Sequence, residues 1–552
     1  MSEHRRRAPQ KKVRQRALLI GAAIAAFGAG LGLWASDDGS PAGSAAGQAS
    51  GSPSVATSSG ETSAGRASSP SPSPTRTYAL SRTPRTIPAV RAHTPARGPG
   101  WRPASGYRVV VSDSELADEA RLVAGELGLT YEGEKSDVRA GDVRLALNDD
   151  EGADPESYAM TVRGGRVTIS GPADAGVFYG TRTLKQEVHG GAAAPEGVVR
   201  DEPAKPRRGF MLDIARKHFT ASWIEDRVRE LGDLKFNELG LHFSDDQGFR
   251  IQSTTHPEIV SQQHLTKAEV TKIVQLAESR HITIVPEIDS PGHLGAVIAA
   301  HPDLQLRNAQ GVATRGAIDI SKDESATIVD DLLDEYAGLF PGSQWHLGGD
   351  EYQALTVANP AASYPQLAAA ATDAYGPSGT VADLTTGWLN GRADTVRAHD
   401  RTMRVWNDGF FRGTSVQPAE DLQVAYWTGK EIGAREPTEY LSAGRKVLNY
   451  NDEFLYYVLG QPQTFVYPTG QRIYEQWNPR VLRKTAEVPA RYDDQILGGS
   501  FAVWCDLANS QTQEQVAAGI RMPLRATVQK LWDPRTPALS WTEFKALAAR
   551  LG

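Results

Sequence analysis

The order of apolar and polar positions divides the chain into three stretches. Residues 17–34, "ALLIGAAIAAFGAGLGLW", form an unbroken apolar run of 18 behind the basic head "MSEHRRRAPQKKVRQR". That length lies on the border between a long signal peptide and a short membrane span. From residue 36 to about 104 no periodicity is present, and Ser, Gly, Ala, Pro and Thr dominate. Such a segment cannot bury enough apolar surface to offset chain entropy, so it reads as a flexible stalk. Ordered patterning starts near "GYRVVVSDSELADEARLVAGELG", a strand followed by an amphipathic helix, and continues through "DVRLALND", "YAMTVRGGRVTIS" and "AGVFYGTRTLKQEV" as strand, hairpin and helix. This alternation predicts a small α+β domain.

From about residue 206 the rhythm becomes strand–helix. The predicted strands are "GFMLDIA", "FNELGLHF", "ITIVPEID", "QWHLGGD", "TMRVWND", "LQVAYW", "KVLNYN" and "LGGSFAVW", and helical patterns such as "SWIEDRVRELGDLK" and "TKAEVTKIVQLAESR" separate most of them. Eight strands alternating with helices fit a (β/α)8 TIM barrel, and no Gly-rich phosphate turn argues for a doubly wound sheet instead. The expected organisation is α/β: a signal peptide or N-terminal membrane anchor (1–35), a stalk (36–104), a small α+β domain (105–203) and a catalytic barrel (204–552).

Charge sharpens this picture. The first 105 residues carry 14 Lys/Arg against 4 Asp/Glu, which leaves a net charge of about −17 on the remainder. A nucleic-acid partner would need a basic folded face, so none is expected. The single cysteine, Cys505, excludes an intramolecular disulfide and a Cys-based zinc site. The basic head and apolar run place the folded part outside the membrane, secreted or anchored by residues 17–34.

The predicted strand ends are unusually rich in carboxylates and aromatics: Asp213 and Arg216, Asp245 and Asp246, Glu287, Asp289 and His293, Asp350 and Glu351, Trp406 and Asp408, Trp427, Asp452 with Tyr456 and Tyr457, and Trp504 with Asp506. In a barrel these ends converge on one pocket. Singly, a strand-end Asp is commonly a helix cap and a buried Trp is commonly core. Together they suggest a sugar site, with indole faces covering pyranose C–H faces and charged groups binding hydroxyls. A metal set drawn from His293, His346, Asp245 and Asp289 is the chemical rival, but no His-x-His or His-Glu-x-x-His spacing supports it, and no metal or cofactor is expected. In "WHLGGDEY" two carboxylates are adjacent. Neighbouring strand residues point to opposite faces, so Asp350 and Glu351 are expected to do two different jobs.

The residues "GFMLDIARKHFT", "NELGLHFSDDQGFRIQ", "VPEIDSPGH" and "HLGGDE" resemble, in order and spacing, glycoside hydrolase family 20, the β-N-acetylhexosaminidases, and "GVFYGTRTLKQ" resembles the end of the small domain that precedes the barrel there. The resemblance implies exo-acting hydrolysis of terminal β-linked GlcNAc or GalNAc. Its mechanism would be substrate-assisted, with the 2-acetamido oxygen as nucleophile, an oxazolinium intermediate and net retention. It implies Glu351 as general acid and then base, Asp350 as the group that orients the acetamide, and Tyr456 as the hydroxyl on the acetamide oxygen. It further implies Trp406, Trp427 and Trp504 as the aromatic box, Arg216 on the O3 and O4 hydroxyls, and Asp245 with His293 as a pair steadying the acid. Burial beside Asp350 is expected to raise the Glu351 pKa.

Two positions depart from the family pattern. Val458 stands where an Asp is usual, and Asp506 stands in "WCD" where the family has "WxE"; both positions normally touch O4 or O6. "WxD" with "LYYV" is also similar to the lacto-N-biosidases of the same family, which release a disaccharide but tend to lack the arginine matched by Arg216. Single-sugar release is therefore the first expectation, disaccharide release the second. A surface-tethered protein that binds glycans without cleaving them is the third.

Overall fold

The computed structural model describes residues 77–149, 152–430 and 434–552. The apolar run at 17–34 and the stalk as far as residue 76 lie outside the described residues. Among the described residues, no helix is long and apolar enough to cross a membrane.

All eight predicted barrel strands form: Arg207–Asp213, Glu238–His242, Thr283–Glu287, Gln344–His346, Thr402–Trp406, Gln423–Tyr426, Val447–Asn449 and Ile496–Trp504. Each pairs in parallel with the next, and the eighth pairs with both the seventh and the first, which closes the barrel. The helices read from the 3.6-residue pattern appear as Ala221–Asp233, Lys267–Glu278 and Asp323–Ala337. Thr220 caps the first by accepting from the Trp223 N–H, and Thr266 with Glu269 makes a reciprocal capping box on the second, so sequence alone could mark their starts. An additional short strand, Tyr456–Val458, lies parallel to the eighth strand, with Tyr456 opposite Ala502 and Val458 opposite Trp504. That pairing brings the loop after the seventh strand back over the barrel mouth.

The small domain is a seven-stranded sheet carrying the helices Ala117–Leu127 and Asp174–Val188. It begins earlier than the sequence suggested. Residues 77–104 were read as stalk, yet Ala92–Pro95 is an edge strand antiparallel to Gly197–Asp201. Ile87, Val90 and Trp101 are buried, and the Trp101 indole N–H donates to the Gly141 carbonyl at 3.0 Å. Three large apolar side chains scattered among prolines and arginines make no periodic signal. They become core only through partners far along the chain: Val90 and Trp101 join the small domain's apolar cluster, and Ile87 joins the barrel's.

The small domain is bolted to the bottom of the barrel by buried charge and aromatic contacts. Arg208 at the first barrel strand holds both oxygens of Glu156, at 2.7 and 2.9 Å. Lys235 is fully buried, lies 4.3 Å over the Trp532 ring, and reaches Asp201 at 3.3 Å. Inside the barrel, Arg404 on the fifth strand grips Glu238 on the second through two bonds of 2.9 Å. Breaking a buried pair strands a desolvated charge, which costs about 3–5 kcal/mol, whereas replacing both partners by apolar groups is close to neutral. Arg404→Met is therefore expected to lower the denaturation midpoint by an amount corresponding to about 3–5 kcal/mol. Arg404→Met combined with Glu238→Leu should recover most of it, and equal losses in the single and double variants would contradict this account.

Candidate active site

The fourth barrel strand stops at His346, and the chain then turns sharply. Gly348, Gly349 and Glu351 adopt φ of +69°, +95° and +47°. Glycine is required at 348, since a Cβ there would sit 1.8 Å from Asp289 Oδ1, the oxygen that accepts the Gly349 N–H at 2.7 Å. This corrects the reading of Asp350 and Glu351 as opposite-facing strand neighbours. The left-handed turn brings both carboxylates to the same histidine: His293 Nε2 lies 3.7 Å from Asp350 Oδ2 and 3.5 Å from Glu351 Oε2.

Around this pair a cavity of about 230 Å³ opens, lined among others by Arg216, His293, Asp350, Glu351, Trp427, Tyr456, Trp504 and Asp506. Seven of the nine residues to which the resemblance gives a role thus share one hollow, together with Asp506. The rings of Trp427 and Tyr456 stack at 5.8 Å and 5°. Trp504 stands beside Tyr456 at 5.8 Å, and the Arg216 guanidinium lies 5.5 Å over the Trp504 ring. The other two residues lie behind the wall. Trp406 is 1 % exposed, packs 5.9 Å from Trp504, and donates its indole N–H to Glu287 at 2.7 Å. Asp245 is buried and reaches Arg216 at 2.7 Å and His293 Nδ1 at 3.4 Å. Val458 lines the cavity beside Asp506, so the apolar substitution faces the same space. Larger hollows of about 620 and 510 Å³ lie on the small domain's sheet and at its junction with the barrel, and neither contains any of these residues.

The proposed metal rival does not assemble as a set. His346 faces Glu287 at 3.2 Å and accepts the Gly348 N–H on the same nitrogen, and its burial lowers its pKa to about 4, so it stays a neutral core histidine. Asp289 and His293 instead cluster with Asp350.

A chain of buried ionisable groups runs beneath the cavity. His242 links Glu287 at 2.8 Å on Nδ1 to Asp245 at 2.8 Å on Nε2. Burial opposes its charge, but the two carboxylates outweigh this and raise its pKa to about 10. His293 is likewise penalised by burial yet held well above the ordinary histidine value by Asp245 and Asp350. Burial, reinforced by Asp289, holds Asp350 well above the carboxylate range. Glu351 goes the other way: the hydrogen bond from His293 lowers its pKa. The expected rise on Glu351 is thus overturned, because a cation, rather than the neighbouring Asp350, dominates its surroundings. These opposite directions favour a proton on the Asp350 side and an ionised Glu351.

Sequence reasoning missed His242, which sits between Leu241 and Phe243 and reads as an inward core position of its strand. It also missed the role of Asp408, which accepts the Glu351 backbone N–H and the Trp427 indole N–H, both at 2.9 Å, and so ties the acid loop to the aromatic wall.

The profile described as glycosyl hydrolase family 20, catalytic domain, matches residues 206–532, and that of the family's domain 2 matches residues 83–202. A lacto-N-biosidase from Bifidobacterium bifidum is 27% identical over 476 residues, 85% of this chain and 42% of that protein. A β-N-acetylhexosaminidase from Cellulomonas fimi is 32% identical over 276 residues, 44% of this chain and 54% of that protein. The chain thus spans about half or less of these relatives' lengths. Among solved structures, a mutant Streptomyces plicatus β-hexosaminidase in complex with its product GlcNAc matches with a TM-score of 0.68 and 25% identity, covering 86% of this chain and 95% of that one.

The electrostatics can be tested directly. His293 is expected to titrate well above an ordinary histidine, as read by its ring ¹⁵N shifts. Asp245→Asn, which removes the main charge holding it, should bring its titration down towards the ordinary histidine value. An unchanged titration in that variant would mean that Asp245 does not set the charge of His293.

Proposed function

The chain belongs to glycosyl hydrolase family 20, and from that premise we propose that it is an exo-acting β-N-acetylhexosaminidase that removes terminal β-linked GlcNAc or GalNAc by substrate-assisted, retaining catalysis. The observation that carries this reading is the convergence of Asp350 and Glu351 on His293 in a cavity walled by Tyr456, Trp427 and Trp504. Asp350 Oδ1 is buried without a hydrogen-bond partner, and an unpaired buried acceptor is costly. An acetamide N–H placed there would satisfy it. The same contact would hold the acetamide carbonyl oxygen, with the Tyr456 hydroxyl donating to it, against the anomeric carbon. Such positioning makes the attack intramolecular and lowers the barrier by several kcal/mol.

In the first step the acetamide oxygen bonds to the anomeric carbon as the glycosidic bond breaks, and Glu351 gives its proton to the leaving oxygen. In the second, water attacks the same carbon, Glu351 takes the water's proton, and the acetamide is released. Asp350 must be ionised to accept the N–H and Glu351 must be protonated to act. The charges around the two carboxylates favour the reverse arrangement, so substrate binding would move one proton from the Asp350 side to Glu351, past the histidine that faces both. Arg216, fixed by Asp213 at 3.1 Å and Asp245 at 2.7 Å, would present its remaining N–H groups to ring hydroxyls.

A second reading is release of a disaccharide. Two observations favour it: the similarity to a lacto-N-biosidase extends over 85% of the chain, and Val458 and Asp506 line the cavity where the family pattern has longer or charged groups. Arg216 in the cavity wall favours the single-sugar reading. The basic head and apolar run at 17–34 support a secreted or membrane-anchored location, which sequencing the mature N-terminus after cell fractionation would test.

On aryl β-GlcNAc, Glu351→Gln should lower kcat/KM by about 10²–10⁴, with the smaller loss on the best leaving groups, and Asp350→Asn should cost about 10²–10³ irrespective of leaving group. If both variants stay within tenfold of the unaltered protein, this assignment fails. The proton required on Glu351 is carried in by the Asp350 side of the free enzyme. Activity should therefore be present below that group's titration and be lost as pH rises through it, which places the basic limb of kcat/KM well above the ordinary carboxylate range. A basic limb near pH 4–5 would contradict the proton transfer. Product analysis on an aryl β-glycoside of Gal–GlcNAc separates the two readings: no cleavage without prior removal of galactose supports the first, and free disaccharide supports the second.

A further inference from the structure

Outside the barrel mouth, two histidines from different loops meet at one carboxylate. His256 precedes the 3₁₀ turn Pro257–Ile259, after the second barrel strand, and His301 closes the helix Gly295–Ala300, after the third. His256 Nδ1 lies 3.0 Å and His301 Nε2 lies 2.9 Å from the same oxygen, Glu258 Oε1. The ligand atoms of the three residues all lie within 4.8 Å of one another, and the two imidazole planes cross at 83°. The other nitrogen of His256, Nε2, faces Asp331 Oδ2 at 3.3 Å.

We propose that His256 Nδ1, His301 Nε2 and Glu258 form a site for a divalent transition-metal ion of the Zn²⁺ class, with Asp331 orienting His256 from behind. Four points of chemistry carry this. Two imidazoles and a carboxylate are a donor set suited to Zn²⁺ and its neighbours and poorly suited to Mg²⁺ or Ca²⁺. Zinc–ligand bonds of roughly 2.0–2.1 Å in a tetrahedron put donor atoms roughly 3.3 Å apart, so the two N–O separations need to open by only a few tenths of an ångström. A neutral imidazole has one N–H, yet carboxylate oxygens face both nitrogens of His256. A metal on Nδ1, with Nε2–H donating to Asp331, satisfies both ends in the way carboxylate–histidine–metal sites do. Finally, both histidines precede proline, which confines their backbone, and they share nearly the same conformation, φ/ψ of −130°/65° and −124°/68°.

None of these residues lines the cavity, so the ion would be structural. It would pin the turn at 257–259 to the far end of the helix that starts just after His293, whose first N–H, at Gly295, donates to Asp246 at 3.1 Å. The sequence shows no metal spacing because 44 residues separate His256 from the second histidine, at position 301.

The test uses the full chain stripped with a chelator and dialysed. Competition against a chromophoric chelator should show one equivalent of Zn²⁺ bound, the melting temperature should rise on adding Zn²⁺, and Co²⁺ should give the visible d–d bands of a four- or five-coordinate site. His256→Ala and His301→Ala should each abolish the stoichiometric binding and the melting shift. Asp331→Asn should weaken binding by about 10–100-fold, as removal of an orienting partner does. Glu258→Gln, at an exposed position, provides a variant that keeps the fold if a histidine variant does not. No stoichiometric Zn²⁺ binding, or binding that survives His256→Ala with His301→Ala, overturns the proposal; the latter would place the ion elsewhere on the chain, and a stripped protein that melts as the loaded one does would leave the cluster as hydrogen-bonded histidines only.

Discussion

The turn at residues 348–351 governs what the barrel mouth can do. Three of its four residues lie in the left-handed region, and only glycine fits at 348 because an Asp289 oxygen occupies the space where a Cβ would be. Held conformations of this kind cost free energy and persist only where their surroundings determine them. Here the surroundings are the Asp289 acceptor on the Gly349 N–H and the Asp408 acceptor on the Glu351 N–H. The result is two carboxylates with adjacent backbones, both within 4 Å of one imidazole, yet with opposite tendencies: one driven to hold a proton and the other to release it.

That divergence depends on the charged chain beneath. Glu287, His242, Asp245 and His293 alternate in sign, each within 3.4 Å of the next. Buried charges are tolerable when each is paired and hydrogen-bonded, and this chain is anchored at one end by the Trp406 indole on Glu287 and braced by Arg216 at Asp245. Trp406 thus supports the site through Glu287 while contributing almost no surface of its own. The same electrostatic logic that fixes the cavity-facing groups therefore runs through residues that never reach the cavity.

Much of this was legible in the amino-acid order. The run "ITIVPEID" is apolar and β-branched enough to mark a buried strand, the leucines and phenylalanines of "FNELGLHF" mark another, and Thr266 with Glu269 writes a helix start. The convergence of strand-end side chains follows once the barrel is granted, which put Glu351, Tyr456, Trp427 and Trp504 among the candidates, and the resemblance to family 20 picked them out. Residues 77–104 were misread because three isolated apolar side chains carry no period. His242 was passed over because its neighbours are those of a core strand.

What the chain order determined by itself is periodicity, cap chemistry and the inventory of groups at each strand end, because these depend on local residue types and on spacings of two or 3.6. Tertiary structure alone decided where Asp350 and Glu351 point, which of them keeps the proton, and which loop histidines meet. Those outcomes depend on φ values, on burial and on charges contributed by strands and loops far apart along the chain, quantities that no local pattern encodes.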